Sequence, residues 1–285
     1  MKAGIWKIAS SLTLVVVLFG LAACRQAPVA GASGAVSDIA LTLENGGDSK
    51  RISAASLLAR SDIQTIRIPD DVAYHGPRSY QALPLQALLQ TAEGHGHLQF
   101  TALDGFVATI PFAAFQSGAK AWLAVEDVTH PWPALKEGGA GAGPFYLVWT
   151  DPVAGKISNE QWPYQIARIA VVPALEDRYP QLLPKAGADI QAGALRGMQV
   201  FIRNCTSCHS LNHGGDAQLG PDLNVPMNPT DYFQEAALRK LIRQPASVRS
   251  WKQSVMPGFD QQSLPEADLD DLLTYLRQMA KQKAG

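Results

Sequence analysis

Hydrophobic patterning divides the chain into two textures. From residue 38 to 176 the apolar residues fall in short runs, Ile39–Leu43, Thr65–Ile68, Leu98–Leu103, Phe106–Ile110, Phe145–Trp149 and Ile166–Val172, separated by turn formers. Such runs predict strands. A helix is expected around Leu83–Gln90, with Pro84 near its start. From residue 190 onward the period changes. Leu269, Leu272, Leu273, Leu276 and Met279 recur at helical spacing. Ser263 with Glu266 predicts a capping box at the start of that helix. Gly197 and Phe201 share a face of an earlier helix over 190–204, and a middle helix over Asp231–Gln244 stops at Pro245. Between the textures, Pro180, Pro184 and Gly187 mark residues 177–189 as a linker. The expected fold is two domains: an α+β, strand-rich domain over 38–176 and an all-α domain over 190–285.

The amino terminus belongs to neither texture. Lys2 and Lys7 precede an apolar run from Ile8 to Leu21, shorter than the ~20 residues a membrane span needs. Leu21-Ala22-Ala23-Cys24 resembles the lipobox of bacterial lipoproteins. That resemblance implies removal of residues 1–23 as a signal peptide, acylation of Cys24, and a periplasm-facing protein held to a membrane through lipid. Several acyl chains anchor stably where one does not. Arg25, rather than Asp, follows the cysteine, which by the sorting rule of enteric bacteria favours the outer membrane. Residues 24–37, rich in Ala, Gly, Ser and Val, are expected to be a flexible tether.

Composition narrows the function classes. Apolar residues make up 47% and charged residues 17% of 285, enough for sizeable cores and too apolar for wholesale disorder. A formal charge of −1 gives no basic field to hold nucleic acid. Three cysteines, Cys24, Cys205 and Cys208, exclude a disulfide-stapled fold.

Cys205-Thr206-Ser207-Cys208-His209 is the C-x-x-C-H pattern of covalent haem attachment. Two thiols so spaced can each add to a vinyl group of one porphyrin, with the adjacent His on the iron. Alone, the five residues also suit a redox dithiol. Downstream stand Gly220-Pro221-Asp222-Leu223 and Ser254-Val255-Met256-Pro257-Gly258-Phe259. In order and spacing, residues 190–283 resemble class I cytochromes c. The resemblance implies one covalent haem c, thioether bonds to Cys205 and Cys208, His209 and Met256 as axial ligands, and the Pro221 carbonyl hydrogen-bonded to His209. It also implies that Gly197, Phe201 and Tyr275 form the crossing of the first and last helices. Met227, in a Pro-rich loop, is the other candidate for the distal position, while Met198 and Met279 suit core packing. Arg239, Lys240, Arg243, Arg249 and Lys252 lead up to the Met256 loop with no acidic residue among them between Ala236 and Phe259. Such a rim would steer an acidic redox partner.

The strand-rich domain has a resemblance of its own. Tyr80-Gln81-Ala82-Leu83-Pro84-Leu85 with Leu88-Leu89, Leu103-Asp104-Gly105-Phe106, Ala121–Ala124, Gly143–Val148, Trp162 and Ile166–Val172 resemble segments of the sulfite-oxidase-type molybdopterin-binding domain. That family holds molybdenum through a Cys thiolate upstream of the Pro-Leu segment. Residues 68–77 contain none, and Tyr146 stands where the family often has Arg. Molybdopterin is therefore not expected. His75 with Asp70 and Asp71 could face an old substrate pocket. His95-Gly96-His97 is expected to be a solvated loop rather than half of a copper or zinc site, Gly138–Gly143 a flexible loop, and Trp122, Trp132, Trp149 and Trp162 mostly core.

The expected function is single-electron transfer between periplasmic or membrane redox proteins. The alternative is an oxidoreductase subunit whose amino-terminal domain binds a pterin or metal, or docks a respiratory complex.

Overall fold

The computed structural model describes residues 39–89, 96–185, 192–217, 219–251, 254 and 256–284. Cys24 with its signal and tether, His95, Lys252 and residues 186–191 lie outside them. Among the described residues no helix is long and apolar enough to cross a membrane.

The strand-rich region opens with β1 (Ala40–Asn45), β2 (Asp48–Ser53) and the short helix α1 (Ala54–Leu58). It continues through β3 (Gln64–Asp71), β4 (Gly76–Pro84), β5 (His97–Ala102), β6 (Val107–Pro111), α2 (Phe112–Phe115), β7 (Lys120–Val125), β8 (Phe145–Thr150) and β9 (Ile166–Val172). One sheet has the order β2-β1-β9-β5-β6, with β1 and β9 parallel; the other, β3-β4-β7-β8, is antiparallel throughout. Leu41, Phe100, Ile110 and Ile169 from the first share a core with Ile68, Leu83, Leu123 and Leu147 from the second. The strand positions follow from alternation: β3 turns Ile66 and Ile68 inward and leaves Thr65 and Arg67 exposed. Strand β8 is buried from Phe145 to Trp149. Its Leu147 N–H donates to the Pro163 carbonyl (3.0 Å), so a following segment covers its edge.

Two sequence expectations fail here. The helix expected at Leu83–Gln90 is instead the end of β4 and one 3₁₀ turn, Leu85–Ala87. Ala82 and Leu83 pair in register with Ala124 and Leu123 of β7, and this pairing outweighs the local helical pattern. His97 is not on a solvated loop. It begins β5, opposite Pro111 and Val172, and is buried.

The expected linker is packed rather than loose. Its described part, residues 177–185, takes the end of α3 (Leu175–Arg178) and a 3₁₀ turn, Pro180–Leu182, and buries Leu182; Leu175, just before it, is buried too. The helical region then comprises α4 (Ala192–Asn204), α5 (Pro229–Tyr232), α6 (Glu235–Arg243), α7 (Pro245–Val248) and α8 (Glu266–Ala280). The single middle helix expected over 231–244 is broken, because Phe233 and Gln234 are extended. Nor does Ser263 cap α8. Its hydroxyl is engaged by Asp260, and Pro265 holds the cap position.

Helices α4 and α8 cross where expected. A Cβ on Gly197 would overlap the Asp271 carbonyl and crowd Tyr275. Phe201 and Tyr275 pack with ring centroids 5.6 Å apart. Arg196 grips Asp271 through two hydrogen bonds (2.6 and 2.7 Å), and Arg203 meets Asp268 (2.7 Å). A second hydrophobic cluster, including Met198, Phe201, Leu272, Tyr275 and Met279, fills this region. The two clusters fit a two-domain layout, and residues 36–285 nevertheless form one compact unit.

Candidate haem-attachment site

The site grows from the end of α4. Cys205 N–H bonds to the Phe201 carbonyl (2.8 Å), and the His209 and Cys208 N–H groups both fold back on the Cys205 carbonyl (2.8 and 3.1 Å). The two thiols and the imidazole are thereby held on one tight turn. Thr206 and Ser207, between the thiols, are buried, and the Thr206 hydroxyl donates to the Ile202 carbonyl (2.7 Å).

His209 is fixed from the other side. Its Nδ1 lies 2.7 Å from the Pro221 carbonyl. A carbonyl can only accept, so Nδ1 carries the proton and Nε2 keeps its lone pair for a ligand. Burial pulls the His209 pKa below its usual value, which also favours the neutral, ligating form. Gly220 passes so close that a Cβ would overlap the imidazole ring, and its N–H bonds to the Cys208 carbonyl (2.7 Å). Burial pushes the Cys205 thiol up to about 12 and that of Cys208 up to about 11. Thiols so shifted make poor thiolate nucleophiles, which weighs against the redox dithiol.

The sequence did not reveal what holds Pro221 in place. The Asp222 carboxylate accepts from the N–H groups of His213 (2.7 Å), Asn224 (2.7 Å), Val225 (2.8 Å) and Asn212 (3.2 Å), and from the Ser210 hydroxyl (2.9 Å). Desolvation pushes its pKa up, but these hydrogen bonds outweigh it and hold the carboxyl below its ordinary value. Next to it runs a buried ladder of Asn212, Asn224 and Asn228. Their amides bond one another and the α8 carbonyls of Leu276 and Met279 (3.0 and 2.8 Å). The only sequence signal was the spacing of three asparagines around Asp222, and Asn is ordinarily a turn residue.

Met256 lies on the loop between α7 and α8 and is partly buried. Phe259 N–H bonds to the Ile242 carbonyl (3.1 Å), and the Arg243 guanidinium binds the carbonyls of Phe259, Asp260 and Leu264, so α6 pins the end of that loop. Met198 and Met279 are core residues, while Met227 is 51% exposed.

The basic rim is smaller than the sequence suggested. Arg239 pairs with Glu235 one turn back on α6, just before the counted stretch, and tertiary folding adds Glu266 and Asp270 to Arg239 and Glu266 to Arg243. Lys240 and Arg249 remain exposed, with Arg249 stacked on Trp251.

Among the described residues of the amino-terminal region, Asp71 is buried while Asp70 and His75 are exposed. Asp71 accepts from the Tyr80 hydroxyl (2.8 Å), the Tyr146 hydroxyl (3.4 Å) and the N–H groups of Ala73 and Tyr74 (3.0 and 2.9 Å). Asp70 and His75 lie on the β3–β4 side of that network. The glycine run is packed only at its end: Gly138, Gly139 and Ala140 are exposed, while residues 141–143 are tied down. Ala142 is fully buried, its N–H donates to the Tyr74 hydroxyl (2.9 Å), and a Cβ on Gly143 would overlap Glu126. Trp149 and Trp162 are core, and Trp122 and Trp132 pack partly buried against it. Among the described residues no group of three or more His, Cys, Asp or Glu could hold a metal ion.

Residues 194–280 match the protein-family model described as Cytochrome c. The match supports a c-type cytochrome domain, with covalently bound haem c and an electron-carrying function. The chain finds no match among curated proteins. The cytochrome domain has a donor set that fits the group: two thiols on one turn, an imidazole with a free Nε2, and a thioether sulfur on a pinned loop.

Proposed function

We propose that the protein is a lipid-anchored, periplasm-facing monohaem cytochrome c that passes single electrons between redox proteins. The observation that carries this reading is the Nδ1–Pro221 bond, which leaves His209 Nε2 beside two thiols on the same turn. Cys205 and Cys208 would anchor the porphyrin, and His209 and Met256 would ligate the iron. The haem, when bound, supplies a one-electron ferric/ferrous couple. Pro221 keeps His209 in one tautomer and makes it a stronger donor. The Met256 thioether, as a ligand, would favour the ferrous state.

The amino-terminal region, on this reading, is a sulfite-oxidase-type domain without molybdenum that serves as a docking or scaffold element. Cys24 is the acylation site, and Lys240 and Arg249, with Lys252, are the cations that would face an acidic partner. The test is the purified holoprotein. About one iron per chain, no stoichiometric molybdenum and a reversible one-electron couple are expected. Molybdenum near one per iron would overturn the carrier reading in favour of an enzyme. Cys24→Ser is expected to release the protein from the membrane fraction; retention would remove the lipid anchor from the proposal.

A further inference from the structure

The amino-terminal region touches the cytochrome domain at its most sensitive point. The 3₁₀ turn Asn159–Gln161 packs on α4 and places Glu160 against the attachment turn. The Ser207 hydroxyl, between the two cysteines, donates to Glu160 Oε2 (3.5 Å). The Ser158–Gln161 capping box fixes the turn that carries it. Among the described residues Glu160 has no cationic partner. Glu160 is also the carboxylate with the largest electrostatic effect on both thiols.

We propose that Glu160 is a positioning residue of the electron-transfer site: a carboxyl supplied by the amino-terminal region that couples proton release to oxidation of the haem. This deepens the electron-carrier reading and rests on it. The physical argument is charge balance. Oxidation would leave one more positive charge on the haem group, and at the partly buried Glu160 an opposite charge acts more strongly than in bulk water. An ionised Glu160 is then favoured. One electron goes to a one-electron oxidant, the Glu160 O–H bond breaks, and the proton goes to water. Reduction reverses both.

The other groups facing this interface do not replace it. Asp104 and Tyr164 come from the amino-terminal region, and Arg203 from α4. Arg203 is already engaged by Asp268, Asp104 is exposed, and burial pushes the Tyr164 phenol up, away from neutral pH. Cys205 and Cys208 no longer titrate once they are thioethers. Burial raises Glu160 to about 7, opposed by the Ser207 bond, which puts its titration in the accessible range.

The experiment is a redox titration of the full-length holoprotein from pH 5 to 9, with ferricyanide as oxidant and mediators present. The wild-type midpoint potential is expected to fall as pH rises through the region around 7 and to level off on either side. Glu160→Gln should flatten that step and hold the acid-limb potential. At pH 9 this corresponds to about a tenfold change in the ferrous-to-ferric ratio at fixed potential, or about 59 mV for one electron. Ser207→Ala, which keeps the carboxyl and removes its donor, should move the step to higher pH, and Glu160→Asp should retain a step. A pH-independent wild type, or an unchanged step in Glu160→Gln, would overturn the coupling while leaving the carrier intact. Loss of any reversible couple in wild type would instead overturn the carrier reading.

Discussion

Asp71 and Asp222 are both buried or partly buried carboxylates saturated with donors, and they do different work. Asp71 closes the amino-terminal core with two tyrosines. Each donor aimed at it would be orphaned by Asp71→Ala, and an unsatisfied buried polar group costs ~1–3 kcal/mol. We expect a loss of about 3 kcal/mol in denaturant unfolding followed by tryptophan fluorescence. Tyr146→Phe, which removes the 3.4 Å donor and the hydroxyl oxygen that accepts from the Ala73 N–H (3.3 Å), should cost about 1 kcal/mol. Equal losses in the two variants would mean that Asp71 is not the hub. Asp222 holds the loop that delivers Pro221. Its folded pKa is depressed, so its contribution is present above the unfolded pKa and lost as pH falls through the folded value. Acid should therefore weaken the His209 side of the site below about pH 4. Asp222→Asn should lose that dependence and start less stable at neutral pH. A holoprotein whose haem absorption shows the same acid midpoint in both forms would refute this.

At the scale of elements, what was legible follows from what dominates locally. Strands β1, β3, β5, β6, β8 and β9 were legible because apolar runs and alternation reflect burial directly. Strand β2 was not, since Asp48–Arg51 face solvent and leave no apolar period. Strand β4 was masked by Pro84 and a leucine-rich tail, and pairing with β3 over Gly76–Ala82 and with β7 over Ala82–Pro84 fixes it as a strand. The attachment turn, Pro221 and the α4–α8 crossing were legible because their chemistry demands fixed residue types at fixed spacing. Glu160 and the asparagine ladder were not, because their partners are distant in sequence and any single residue looks ordinary. The crossing itself is testable. Gly197→Ala puts a methyl into the Asp271 carbonyl and the Tyr275 side chain. Overpacking of this kind costs typically 1–3 kcal/mol, and the backbone contact places it at about 3 kcal/mol. The same change at Gly193, where a Cβ crowds the end of the Asp271 side chain and otherwise makes ordinary contact with Thr274, should cost about 1 kcal/mol or less. Thermal unfolding of both holo variants checks the contrast, and a neutral Gly197→Ala would mean that the helices can separate without loss.

The whole molecule is tied together by a few polar contacts around Asp216. Arg178 from α3 grips its carboxylate through two bonds (2.7 and 2.8 Å), the Tyr179 hydroxyl adds a third (2.8 Å), and Gln99 of β5 a fourth (2.9 Å). Gln99 in turn accepts from Arg168, which pairs with Glu44 of β1. One carboxylate beyond the attachment turn thus gathers the packed connecting segment and the five-stranded sheet. The Arg178–Asp216 pair is mostly buried, with side chains 21% and 17% exposed, so removing one partner strands the other in a poorly solvated place. If this hub couples the two cores, wild type should unfold in a single calorimetric transition monitored equally by haem absorption and tryptophan fluorescence. Asp216→Ala should lose about 3 kcal/mol and separate the two signals, because each core is then held mainly by its own packing. It should also displace Glu160 from Ser207, so the pH step in the midpoint potential should weaken although Glu160 itself is unchanged. Two separate transitions already present in wild type would show that the cores are independent and that Asp216 only decorates their boundary. A single transition that survives Asp216→Ala with an intact pH step would place the coupling in the apolar packing of Leu175 and Leu182 instead.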